Sequence, residues 1–432
     1  MDTYPIIVWL RNDLRLHDNE ALWKASQKTP QIIPVYCIDV RQFEKLPDLH
    51  IPKTGNFRAQ FLKEGLEDLR KNLKKIGSNL IVRLGKPEEE IVKIALQTNA
   101  KSIYTSREVG TEELEIEKTL ENLLIKEKIE IKYFWQSTLY HLDDLPFSIP
   151  NIPEVFTNFR KEAEKFSKVR ACFSSPKNLQ KVDMEEGEIP TIEKLGLEKV
   201  KIDKKAVLQF FGGESAGIQR LQYYFWEKDL LKSYKDTRNG LLGADYSSKF
   251  SAWLSLGFLS PRYIFEQIKQ YESNRIANES TYWLIFELIW RDYFRFIGKK
   301  HGSKLFTRGG IQNQAVRLNQ HLKTFWLWAN GKTGVPFVDA NMIELNKTGF
   351  MSNRGRQNVA SFLVKDLKID WRWGASYFES KLIDYDVCSN WGNWNYIAGV
   401  GNDPRKDRYF NIASQAKQYD PKNQYINYWL SN

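Results

Sequence analysis

What most limits how this chain can fold is a rhythm that stops. Five short apolar runs, PIIVWL (5–10), IIPVYCID (32–39), NLIVRL (79–84), SIYTS (102–106) and IEIKYF (129–134), read as buried strands. Between them, residues 56–76, 87–99 and 112–128 carry charged and apolar residues at helical spacing. Alternation of this kind predicts a doubly wound, mostly parallel sheet with right-handed crossovers over residues 1–135. Residues 136–205 lose the rhythm and are rich in proline and polar side chains, which predicts a long connector. From residue 206 to 432 the pattern is helical almost throughout. The expected architecture is an α/β domain, a linker and an all-α domain, and a length of 432 residues suits two domains.

Composition narrows the function. No run of 18 apolar residues occurs, so no transmembrane helix and no membrane partner are expected. The opening MDTYPIIVWLRNDLR has an early acid and a short apolar run, a first strand rather than a signal peptide. Cys37, Cys172 and Cys388 lie too far apart for redox or metal spacing, and the reducing cytoplasm is the expected compartment. The five histidines form neither HxxxH nor HExxH, so no metal site is expected. A formal charge of +11 suits a polyanionic partner, or simply a soluble lysine-rich surface. Eleven of the fourteen tryptophans lie beyond residue 205, more indole than core packing needs.

No GxGxxG follows the first strand, so the α/β half carries no dinucleotide motif. NGKTG (330–334) ends like a phosphate loop, but Trp326 stands where its first glycine belongs. GGESAG (212–217) reads as a helix start with Glu214 in its first turn. In GADYSSKFSAWLSLGFLSPR (243–262), Ser247, Ser248 and Ser251 gather hydroxyls beside Lys249 at a helix start. That set suits a diphosphate, or is a helix cap with solvated neighbours. FELIWRDYFRF (286–296) puts Glu287, Trp290 or Arg291, and Phe294 on one helical face, either core or a pocket that stacks a base. Asn353, Arg354 and Arg356 precede a helix, and Asp384 and Asp386 follow with no histidine nearby. The two acids more plausibly accept hydrogen bonds from a planar heterocycle and its sugar-like chain than hold a metal. From the residues alone this is a cofactor-binding helical domain with nucleic-acid affinity.

Five ordered stretches extend the reading: WLRNDLRLHDNEAL, YKDTRNGLLGADYSSKFSAWLSLGFLSPR, ELIWRDYFRF, TGFMSNRGRQNVASFLVKDLKIDWRWG and LIDYDVCSNWGNWNYIAGVGNDPR. Together they resemble the photolyase/cryptochrome family, and within it the DASH cryptochromes. The resemblance implies a non-covalent FAD in the helical domain and an antenna chromophore, commonly 5,10-methenyltetrahydrofolate, at the α/β domain. It assigns FAD contacts to Tyr234, Ser247, Ser248, Lys249, Phe250, Ser251, Arg291, Asn353, Asp384 and Asp386, with Arg356 pairing Asp384 and Asn390 facing flavin N5. It places Arg238, Glu287, Trp290, Arg291, Asn353, Arg354, Gln357 and Tyr396 at the nucleic acid, with Glu287 and Asn390 nearest the chemistry. Trp394 and Trp371 match the proximal and middle members of an electron-transfer chain, whose surface member is replaced by Leu318. Glu108 matches an antenna contact.

Tyr396 stands where double-strand photolyases carry a second stacking tryptophan, and Gln357 where they carry methionine. Base–aromatic stacking contributes roughly 1–3 kcal/mol, while flipping a base from duplex costs a few kcal/mol. The implied activity is therefore blue-light, FAD-dependent repair of cyclobutane pyrimidine dimers in single-stranded or looped DNA, with RNA a further candidate partner, by a monomer. The alternative is a non-enzymatic blue-light photoreceptor that binds nucleic acid or regulates transcription.

Overall fold

The computed structural model describes residues 4–316, 318–405 and 408–431. Strands β1 (Ile6–Leu10), β2 (Ile32–Asp39), β3 (Ile81–Gly85), β4 (Ser102–Ser106) and β5 (Glu130–Phe134) form one parallel sheet in the order β3-β2-β1-β4-β5. Helices α1 (Glu20–Ser26), α2 (Asn56–Lys75), α3 (Pro87–Thr98) and α4 (Thr111–Lys126) connect them. The strands lie within two residues of the runs read from the sequence; α1, only seven residues long, is an addition.

Strand periodicity explains why β1 is apolar at every position. Ile6, Val8 and Leu10 face the core that continues into the second half, while Ile7 and Trp9 face α3 and α4. Both faces are covered, so no position can be polar without losing burial.

The second half is α6 (Glu214–Gln222), α7 (Tyr234–Thr237), α8 (Ser251–Ser255), α9 (Pro261–Asn274), α10 (Glu279–His301), α11 (Leu322–Ala329), α12 (Pro336–Thr348), α13 (Asn353–Ser361), α14 (Trp371–Lys381), α15 (Val387–Ala398), α16 (Ile412–Tyr419) and α17 (Gln424–Leu430). The 136–205 segment is far from a free tether. It contains α5 (Phe156–Phe166), whose Phe156, Phe159 and Ala163 are buried, with Phe156 and Phe159 against aromatic side chains of α10. Further on it lies against the α/β domain, where Leu179 N–H donates to Ile76 and Val82 N–H to Glu186. Its proline and polar residues shape turns over a packed surface.

Buried polar contacts lock the halves together. Arg15, 1% exposed, donates to the carbonyls of Gly257 at 2.9 Å, Asp18 at 3.0 Å and Gln136 at 3.1 Å. Asp18 pairs with Arg262 at 2.7 Å, both buried. Glu214 accepts from the Leu16 and His17 N–H groups, so the acid of GGESAG serves the domain junction. Gly257 has φ +69°, and a Cβ there would lie 2.0 Å from the Asn12 carbonyl, so only glycine permits this approach. The NGKTG loop is likewise structural: Thr333 and Gly334 N–H groups donate to the Asp339 carboxylate, occupying donors a phosphate would need.

No described helix is long and apolar enough to cross a membrane. Among the described residues no group of three or more His, Cys, Asp or Glu is placed to hold a metal ion.

Candidate flavin and nucleic-acid site

Two adjoining cavities lie within the helical domain. The larger, about 260 Å³, is lined by Tyr234, Arg238, Ser247, Ser248, Lys249, Phe250, Ser251, Glu287, Arg291, Asn353, Arg356, Asp384 and Asp386. The smaller, about 100 Å³, adds Gln357, Asn390 and Trp394 and shares Asn353, Arg356, Asp384 and Asp386. Residues more than 150 positions apart in sequence thus converge on one place.

Helix starts do much of the positioning. Ser251 opens α8, and Asn353 opens α13, which Ser352 caps through the Gly355 N–H at 3.0 Å. Asp386 is the N-cap of α15, accepting from Ser389 N–H at 2.7 Å. Burial works to raise the Asp386 pKa, but Arg291, Arg295 and Ser389 more than offset it and hold the carboxyl below its ordinary value. Arg356 reaches both Asp384 oxygens, at 3.0 and 2.9 Å, and donates to the Met351 carbonyl at 2.9 Å. The pair fixes α13 to the segment ahead of α15. One turn into α15, Asn390 donates to the Ala375 carbonyl at 3.0 Å, which leaves its amide oxygen for another partner.

The serine-rich loop is shaped by a residue that no local motif revealed. Arg220, on α6 and 7% exposed, donates to the carbonyls of Ala244, Ser247 and Ser248. The loop so held lines the cavity with Ser247, Ser248 and Ser251. Lys249 has φ +59°, the left-handed region that non-glycine residues rarely adopt. Its amine is buried, has no hydrogen-bond partner among the described residues, and lies 3.3 Å from the Tyr246 ring centroid. A cation–π contact contributes about 0.5–2 kcal/mol, whereas a buried ammonium costs several kcal/mol. Desolvation wins, and the Lys249 pKa lies well below the usual lysine value. An unpartnered amine among hydroxyls is the set a diphosphate would satisfy, and two carboxylates with an arginine suit the hydroxyls and ring edge of a flavin. The residues therefore fit FAD.

At the outer side, Glu287 pairs with Arg238, and burial raises the Glu287 pKa despite that partner. Trp290 lies flat on Phe156, centroids 3.5 Å apart, and meets Tyr396 edge-on at 6.2 Å. Arg354 stacks 4.4 Å over Tyr419 and donates to Gln357 at 2.8 Å. Arg408, which sequence reading did not single out, donates to the Tyr396 hydroxyl at 3.1 Å and is held by Asp403.

The indoles are buried: Trp394 is 2% exposed and Trp371 fully covered. Trp394 packs on Phe378 and Trp328, with centroid distances of 5.2 and 6.3 Å. Trp371 meets Trp391 at 5.8 Å and donates to the Arg308 carbonyl. Leu318 lines a surface groove with Arg308, His321 and Ile369. Glu108 is buried against Arg295, which also approaches Asp386 at 3.8 Å. It is absent from the lining of a cleft of about 870 Å³ between the two halves.

Comparison with known proteins agrees with this geometry. Residues 6–178 match the family "DNA photolyase", and residues 283–432 match "FAD binding domain of DNA photolyase". A Gloeobacter violaceus protein named Cryptochrome DASH is 54% identical, covering 100% of this chain and 86% of its own. The chain belongs to the photolyase/cryptochrome family. A chloroplastic/mitochondrial Cryptochrome DASH of Arabidopsis thaliana is 50% identical over 98% of this chain and 75% of its own. The crystal structure of a Synechocystis cryptochrome superposes with a TM-score of 0.95 at 53% identity, covering 100% of this chain and 89% of that one. A class III photolyase from Agrobacterium tumefaciens follows at 0.85 and 27% identity, covering 99% and 87%. This family member accordingly has the photolyase-type α/β domain and the helical FAD-binding domain, and is most similar to DASH cryptochromes.

Proposed function

We propose that the protein is a light-driven, FAD-dependent photolyase that splits cyclobutane pyrimidine dimers, preferentially in single-stranded or looped DNA. The observation that carries this reading is convergence: Glu287, Arg291, Asn353, Arg356, Asp384, Asp386, Asn390 and Trp394 line one pair of joined cavities. A bound, reduced FAD would supply light-driven one-electron chemistry at this site.

The chain's own residues bind, orient and exclude water. The Ser247–Ser251 loop and Lys249 hold the diphosphate, and Arg356 with Asp384 fixes the wall beside the flavin. Asn390 brings a neutral amide to the smaller cavity and would add no charge beside a flavin held there. Trp394 and Trp371 bring electrons inward for flavin reduction. Glu287, paired with Arg238 and with its pKa raised by burial, lines the cavity where a flipped base would sit.

The strand preference rests on Gln357 and Tyr396. Both are engaged by arginines, Gln357 by Arg354 and Tyr396 by Arg408, so the pocket mouth is polar. Stacking lost there is comparable in size to the cost of flipping from duplex, about 1–3 kcal/mol against a few. For the antenna we propose 5,10-methenyltetrahydrofolate in the 870 Å³ cleft, whose lining includes the rings of Phe306, Tyr385 and Trp391.

The photoreceptor reading shares the flavin and the nucleic-acid surface, and turnover separates the two. Light-dependent restoration of thymine-dimer oligonucleotides by the purified, reduced protein supports the enzyme. Bound, photoreducible FAD without restoration supports the receptor.

A further inference from the structure

We propose that binding of the FAD diphosphate draws one proton from water onto the Lys249 amine, so that the protein holds its cofactor more weakly as pH rises. The inference rests on the flavin reading above and deepens it. Lys249 is 4% exposed, lines the cavity from a left-handed backbone conformation, and has no hydrogen-bond partner for its amine among the described residues. Its neighbours do little to hold a charge: the Tyr246 and Phe350 rings lie 3.3 and 5.0 Å from the amine.

The charged groups that face it come from every packed element. Arg220 on α6 and Arg356 on α13 repel an ammonium; Asp245 in the loop and Glu344 on α12 attract one. Arg220 and Asp245 largely spend their charges on each other and on backbone carbonyls. Arg356 is committed to Asp384. Glu344 is fully buried, accepts from Tyr425 at 2.6 Å, and has its second oxygen unpartnered among the described residues. Burial pushes its pKa up to about 7. Without a ligand, burial outweighs the attraction of Glu344 and Asp245 and disfavours the charged amine. A diphosphate brings the charge and the acceptor oxygens that the amine lacks, and the ammonium becomes the stable form.

The balance is simple. One N–H bond forms on Lys249, the proton comes from solvent, and nothing is oxidised or reduced. The sign follows from linkage: the bound state favours the protonated amine, so affinity is full below the free-protein pKa. It falls as pH rises from there toward the bound pKa, by up to about tenfold per pH unit.

The test uses the FAD-loaded protein as purified, diluted at a series of pH values from 6 to 10, with released FAD followed by its fluorescence at equilibrium. Wild type should show a dissociation constant that climbs with pH. Lys249→Met should bind more weakly with a flat profile, and Lys249→Arg, always charged, should bind well with a flat profile. Glu344→Gln should keep the slope. A flat wild-type profile overturns the proposal, as does a slope that persists in Lys249→Met or disappears in Glu344→Gln. Protein with no bound FAD at any pH overturns the flavin reading itself and the linkage with it.

Discussion

Replacing Arg356 by methionine removes the one cation that grips Asp384 from α13. The carboxylate side chain is 1% exposed and the arginine 24%, so the pair is buried on one side and reached by water on the other. Breaking a fully buried pair by deleting one partner costs about 3–5 kcal/mol, chiefly because the remaining charge stays desolvated. Partial solvent access to Arg356 lowers that share, while the Met351 carbonyl loses its guanidinium donor, a further cost of about 1 kcal/mol. The expected loss for Arg356→Met is about 2–4 kcal/mol, with reduced FAD content. Asp384→Asn in the same chain should restore most of it, since the orphaned charge is then gone. Urea unfolding of wild type, both single variants and the double variant forms the cycle that checks this. A loss below about 0.5 kcal/mol for Arg356→Met, or a double variant whose loss equals the sum of the singles, refutes the reasoning.

Three further outcomes are expected. Trp394→Phe and Trp371→Phe should each slow flavin photoreduction, followed by absorbance under blue light, while leaving repair by chemically reduced enzyme largely intact. The double variant Gln357→Met with Tyr396→Trp should gain repair on duplex DNA relative to single strands, read as the ratio of the two rates; an unchanged ratio removes the pocket argument. Burial raises the Asp292 pKa to about 7 against two backbone N–H donors, Leu139 and Tyr140. Its folded value lies above its unfolded one, so its contribution to stability is greatest below the ordinary carboxylate range and is lost as pH rises to about 7. Asp292→Asn should flatten that part of the pH dependence in urea unfolding between pH 4 and 7.

The sheet was legible because each β1, β2 or β4 run is a local signal of burial on two faces, and Ile6–Leu10 has no polar position to confuse it. The diphosphate loop was legible as chemistry, through Ser247, Ser248, Ser251 and Lys249, but its shape was not. Arg220 builds that shape from 24–28 residues upstream, and a lone arginine on an amphipathic helix looks like any other. Arg408 and Arg295 escaped because their partners are set by tertiary packing: Arg408 in a loop meets Tyr396 of α15, and Arg295 of α10 meets Glu108 of the α/β half. The packing of the connector was not legible from composition, because proline and polar residues mark turns whether a segment is free or, as with Phe156 on Trp290, packed against the helical domain.

The central claim is best tested by light-driven restoration of a thymine dimer in single-stranded and duplex oligonucleotides by the purified, reduced protein, with dark controls. The account predicts restoration in light on the single strand and little on the duplex. Tight binding of both with bound FAD and no restoration of either would contradict it.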